Sequence, residues 1–128
     1  MKIHFGALLL IALTAFAQSA WANTCSAKTG TVNWDSNGSW SGCGGKVPQD
    51  GDTVIIPNGS TVTLNKDSKK IASLTVNAGG TLQGNGSGKN LDLRSAPGNL
   101  TNNGTINLID EDISIDGAFI NNGVFTAG

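Results

Sequence analysis

From residue 53 onward the chain alternates apolar and polar residues in short runs. These are Thr53-Val-Ile-Ile56, Ser60-Thr-Val-Thr-Leu64, Ser73-Leu-Thr-Val76, Leu91-Asp-Leu93, Thr105-Ile-Asn-Leu108 and Ile113-Ser-Ile115. Gly, Asn or Asp bounds each run, and a period of two places the apolar set on one face of an extended strand. No window carries apolar residues at i, i+3, i+4 and i+7, so the pattern predicts an all-β protein.

The runs themselves recur. Four segments share one form: Ile56-Pro-Asn-Gly-Ser-Thr-Val62, Val76-Asn-Ala-Gly-Gly-Thr-Leu82, Leu100-Thr-Asn-Asn-Gly-Thr-Ile106 and Phe119-Ile-Asn-Asn-Gly-Val-Phe125. Each has apolar ends, Asn and Gly between them, and Thr or Val just before the closing apolar residue. Successive segments start about 20 residues apart, the length of one β-solenoid coil. The longest interval holds Gly84-Asn-Gly-Ser-Gly-Lys89, which reads as a loop insertion. One coil cannot bury its few inward side chains alone, but stacked coils form a continuous column. The expected architecture is therefore a short right-handed parallel β-helix of about four to five coils. A β-sandwich is the alternative, because Asn-Gly also marks hairpins.

The N-terminus alters which residues reach the fold. Lys2 precedes an uncharged apolar stretch, Phe5 to Ala17, and Ala20-Trp21-Ala22 supplies small residues where a signal peptidase reads. The apolar stretch is too short for a span of about 20 residues. The expected division is a secretory signal at 1–22, an N-terminal cap segment at 23–50 and solenoid coils at 51–128. No membrane span is expected in the mature chain. The expected location is extracellular or at the cell surface, with the periplasm as the alternative.

His4, the one histidine, leaves with the signal. The full chain has 8 basic and 9 acidic residues and a net charge of −1, without a basic run, so nucleic acid is not an expected partner. Cys25 and Cys43 in an exported chain predict one disulfide, and a loop of that length contributes about 3 kcal/mol. Neither cysteine has a histidine to activate it or to complete a zinc site.

The stretch from Trp40 to Val76 carries Trp40, Val47-Pro48-Gln-Asp50-Gly51-Asp52-Thr-Val54-Ile-Ile56-Pro57-Asn-Gly59, Val62-Thr-Leu64, Ile71 and Leu74-Thr-Val76. It resembles the eight-glycine extracellular domain of large cell-surface proteins and surface hyaluronidases. It is also similar to the N-terminal region of bacterial surface proteins related to the pilus biogenesis protein MshQ. The resemblance implies an extracellular β-helical module with an adhesive or ligand-binding role. It implies no catalytic residue, because the matched positions are turn and core residues.

Four groups of residues are candidates for chemistry. Asp50 and Asp52 flank Gly51 and could ligate calcium, although Asp-Gly-Asp more often closes a turn. No other cofactor is expected. Asp110, Glu111 and Asp112 form the densest acidic run, and glycoside hydrolysis needs a carboxylate pair at a defined separation. Contiguous residues on a strand point to opposite faces, so a solvated loop is the better reading. Trp34 and Trp40 could stack on sugar rings or cap the first coil. The Asn-x-Ser/Thr triplets at Asn37, Asn58, Asn85, Asn99 and Asn103 read as solenoid corners. Thr-x-Thr occurs at Thr61 and Thr63 and at Thr29 and Thr31 but not in the later repeats, which does not predict a regular ice-binding threonine face.

These readings converge on a secreted non-enzymatic module for cell-surface adhesion or glycan or ligand binding, with an extracellular glycan or a surface protein as partner. A polysaccharide-active enzyme using Asp110, Glu111 and Asp112 is the alternative, and a structural piece of a larger surface protein is a third. Gly123 to Gly128 follows a strand without a polar cap, so end-to-end self-association is also expected.

Overall fold

A computed structural model describes residues 22–127. The expected signal segment, apart from Ala22, lies outside the described residues. The chain opens with β1 (Thr24–Ala27) and β2 (Gly30–Asn33), and a 3-10 turn at Asn37–Ser39 leads to β3 (Trp40–Ser41). Next come β4 (Thr53–Ile56) and β5 (Ser60–Leu64), followed by β6 (Ser73–Val76), β7 (Thr81–Gly84) and β8 (Asn90–Leu93). A further coil holds β9 (Asn99–Asn102), β10 (Thr105–Leu108) and β11 (Asp112–Ile115), and the last described coil holds β12 (Phe119–Asn121) and β13 (Val124–Ala127).

Strands one coil apart are neighbours. The first sheet has the order β12-β9-β6-β4-β1-β3, the second β13-β10-β7-β5-β2, and a third side pairs β11 with β8. Every pairing is parallel except that of β1 with β3. Parallel strands joined by coil-length connections make a β-helix, whereas a sandwich of hairpins would pair antiparallel.

The register explains the core. Cys25, Val54, Leu74, Leu100 and Phe119 align rung over rung in the first sheet. Val32, Val62, Leu82, Ile106 and Phe125 do so in the second. Val54, Leu74, Leu100, Val62, Leu82 and Ile106 are fully buried. Truncating one of them, as in Leu100→Ala, removes contacts with the coils on both sides and costs about 2–5 kcal/mol.

Corners between the first two sheets use Asn and Gly. A Cβ on Gly104 would press on the carbonyl oxygens of Asn77 and Gly80 one coil away, so no larger residue fits there. Asn102 is buried, yet its amide nitrogen donates to Asn121 Oδ1 and to the Val124 carbonyl, both at 2.8 Å. Its Oδ1 accepts the Gly104 amide at 3.1 Å. The expected insertion at residues 84–89 connects the end of β7 to β8, on the third side.

Parallel stacking extends into the segment expected as the N-terminal cap, residues 23–50. β1 and β2 already run parallel with β4 and β5, because Cys25 and Val32 supply inward side chains at the solenoid period. The capping role belongs to β3, which crosses β1 antiparallel, and to the Cys25–Cys43 disulfide, whose Cα atoms lie 4.6 Å apart.

Reduction of that disulfide should lower stability by about 3 kcal/mol, the loop-closure value. Hydrogen exchange should rise in β1 and β2 before β9 and β10; a uniform rise along the chain would contradict this assignment.

Candidate functional site

Outward side chains of the first two sheets also stand in columns. In the second sheet Thr31, Thr61, Thr81, Thr105 and Val124 form one column, and Asn33, Thr63, Gln83, Asn107 and Thr126 form the next. In the first sheet the columns are Thr24, Thr53, Ser73 and Asn99, and Ser26, Ile55, Thr75, Thr101 and Ile120. None of these side chains ionises. Strand geometry sets rungs about 4.7–4.9 Å apart and the two columns of one sheet about 6.6 Å apart. Hydroxyl and amide groups are tied across coils: Gln83 Nε2 donates to Thr63 Oγ1 at 3.0 Å, and Ser73 Oγ to Thr53 Oγ1 at 3.4 Å. The β-branched threonines suit the outward strand positions and have few rotamers to lose there.

The threonine column is the feature that a search for Thr-x-Thr passes over, since the second column mixes Asn, Thr and Gln. Its signal is present nonetheless, as the Thr or Val that precedes the closing apolar residue of each repeat. Only the register shows that these residues share one face.

Ionisable groups gather at corners and on the third side. Arg94 donates from Nε and Nη2 to Asp92 at 2.9 and 2.8 Å, and this side-chain pairing holds the Asp92 carboxyl below its usual range. Lys66 lies 3.6 Å from Asp35 in an exposed pair.

The acidic run at Asp110, Glu111 and Asp112 is divided by the fold. Asp110 and Asp112 are exposed, with Asp110 at a φ of 66°. Glu111 is buried, and its Oε1 accepts the amides of Asn85, Gly86 and Ser87 at 2.9, 2.8 and 3.3 Å. Its Oε2 accepts the amide of Lys89. Glu111 therefore organises the inserted loop. Burial pushes its pKa up, but the four amides outweigh burial and hold it below the ordinary Glu value.

Asp50 and Asp52 also turn in separate directions. Asp52 is buried, taking the Asn23 amide on Oδ1 and the Gln49 amide on Oδ2, both at 2.8 Å. Its Oδ2 sits 3.5 Å from Cys25 Sγ, which has no proton to donate in a disulfide. Asp50 Oδ1 accepts the Lys70 amide at 2.9 Å across to the next coil. Among the described residues, one group of three potential metal ligands converges, Cys25, Cys43 and Asp52. Its two sulfurs are bonded to each other and offer no thiolate, so the donor set does not fit a metal ion.

The tryptophans lie inside. Trp34 and Trp40 are 1% and 4% exposed, packed edge to face with centroids 5.2 Å apart. Trp40 Nε1 donates to the Trp34 carbonyl at 3.0 Å. Neither ring presents a free face to a sugar, and both belong to the buried core cluster. A shallow cavity of about 280 Å³ lies beside Trp34, lined also by Val47, Pro48, Lys66 and Lys69.

Because Glu111 titrates lower in the fold than in the unfolded chain, the unfolded chain takes up the proton first on acidification. Its stabilising contribution should be complete above the ordinary Glu pKa and lost as pH falls through the depressed folded value. Glu111→Gln should remove that acid-dependent step and raise exchange in residues 85–89 at neutral pH. An unchanged acid profile in the variant would refute the role.

The G8 domain family model matches residues 39–120, from the cap strand β3 into β12. No curated protein and no solved structure matches the chain. Among the described residues, no helix is long and apolar enough to cross a membrane. A match over most of the chain, on an all-β solenoid closed by a disulfide, establishes that the chain belongs to the G8 family of extracellular domains.

Proposed function

We propose that this protein is a non-enzymatic module that binds a neutral glycan at a cell surface through the outward face of its second sheet. The observation that carries the reading is the pair of uncharged columns running in register from β2 to β13. Neutral polysaccharides present rows of hydroxyls and C–H faces, which threonine and amide side chains complement by hydrogen bonds and methyl contacts. A rigid array loses little side-chain freedom on binding, which favours weak but repeated contacts along an extended ligand.

The extracellular family and the disulfide support a role outside the cell. The likeness of Trp40–Val76 to MshQ-like bacterial surface proteins supports a surface-adhesive setting. A hydrolytic reading gains nothing from the geometry, because Glu111 spends its carboxylate on four backbone amides instead of facing Asp110 or Asp112. Calcium gains no support either, since the carboxylates of Asp50 and Asp52 each hold a separate turn.

The test is a panel of neutral glycans and insoluble polysaccharides probed with the native protein and two folded variants. Thr61→Lys combined with Thr81→Lys should weaken binding by at least about tenfold, or ~1.4 kcal/mol. Thr75→Lys, on the first sheet, should bind as the native protein does. Absence of native binding across the panel, or equal losses from both faces, would overturn the reading.

A further inference from the structure

Ionisable side chains are absent from the strands of the first two sheets, and on the third side their signs separate along the solenoid axis. Between β5 and β6 stand Lys66, Lys69 and Lys70 against a single acid, Asp67. Two coils on, residues 110–116 carry Asp110, Glu111, Asp112 and Asp116 and no basic residue. Lys66 is paired with Asp35, but among the described residues Lys69, Asp110 and Asp112 form no salt bridge. Lys69 and both aspartates are exposed.

An apolar feature accompanies each sign. The cavity of about 280 Å³ opens among the lysines, at the corner where the second sheet ends and the third side begins. Trp34, Pro48 and Val47 give it an apolar wall. The two carboxylates in its lining are already engaged, Asp35 by Lys66 and Asp67 by the Asn90 amide at 2.9 Å. At the same corner of the later coil, directly after β10, Ile109 is 50% exposed beside Asp110. Strand spacing sets this aliphatic knob two rungs, roughly 10 Å, from the lysine segment, so one copy cannot fill its own cavity.

We propose that two copies of this chain pair side by side along this corner, Ile109 of each entering the Trp34–Val47–Pro48 cavity of the other while Asp110 and Asp112 meet Lys69 of the partner subunit. Knob and cavity lie on one corner, one coil to either side of the coil that holds β7 and β8. A twofold axis perpendicular to the solenoid and level with that coil exchanges them, so one operation makes both contacts. Residues 85–88 lie at the level of the axis, exposed and uncharged, and face their own copy without repulsion.

The two contributions divide the work. Removing the aliphatic side chain and the apolar wall from water supplies affinity. Opposed charges steer the encounter and fix the antiparallel orientation, since a parallel pairing would set lysine against lysine. Both contacts are consumed in the pair, and the product is closed at two copies. This inference is independent of the glycan reading, because it uses a corner and leaves the outward columns of the second sheet open.

Sedimentation equilibrium of the purified protein without any glycan, from micromolar to millimolar, tests it directly. A single step to twice the monomer mass is expected, moving to higher concentration as salt is added. Lys69→Glu, Asp112→Lys and Ile109→Ser should each weaken self-association by about tenfold or more. An equimolar mixture of the first two variants should associate as the native protein does, because every contact again opposes unlike charges. That recovery also shows that both variants fold. Carbodiimide coupling of isotope-labelled with unlabelled protein should join Lys69 of one copy to Asp110 or Asp112 of the other. A monomer at every concentration overturns the proposal, as does a dimer that survives all three substitutions or a mixture that fails to recover. An open series of higher oligomers overturns the twofold arrangement.

Discussion

Everything in this fold depends on coil-to-coil registration of inward aliphatic side chains. A single coil supplies one or two such residues per sheet, too few to exclude water. Held in parallel register, Val54, Leu74 and Leu100 roof one another completely. The same backbone hydrogen bonds that create the register satisfy the polar main chain, so apolar burial and backbone pairing arise together. Loss of register by one residue would turn the aliphatic set outward and the threonines inward.

That dependence makes the first coil, which has no described coil above it, a place where other devices must cover the core. At the head, chain length is spent on an antiparallel strand, two packed indoles and a covalent link. Buried Asp52 belongs to the same device, since its carboxylate holds the amides of Asn23 and Gln49 and so ties the first coil to the turn after the cap. In the last described coil the rings of Phe119 and Phe125 pack against each other, with centroids 5.0 Å apart.

Charge is kept off the strands of the first two sheets and put to use at the corners and on the third side. Glu111 illustrates the principle. A carboxylate that would be costly to bury alone becomes stabilising when four loop amides converge on it. Asp50 performs a lesser version of this with the amide of Lys70, one coil away. Glu111, Asp50 and Asp52, which look like parts of a catalytic or metal-binding set in one dimension, serve as backbone clamps in three.

The division between what was legible and what was not follows from the range of the forces. Alternation, the 20-residue recurrence of Asn-Gly corners and the paired cysteines determine an all-β, disulfide-bearing solenoid, because strand period and turn preference are local properties of the backbone. The outward Thr or Val of each repeat was legible in the same way. The tertiary structure alone decided that Trp34 and Trp40 face inward, that Glu111 turns toward residues 85–89, and that β1 and β2 stack on β4 and β5. Those outcomes depend on contacts between residues 6 to 29 positions apart, across coils whose stacking no local pattern records. The uncharged face belongs to both levels: its residues are written in the repeat, and their alignment exists only once the coils stack.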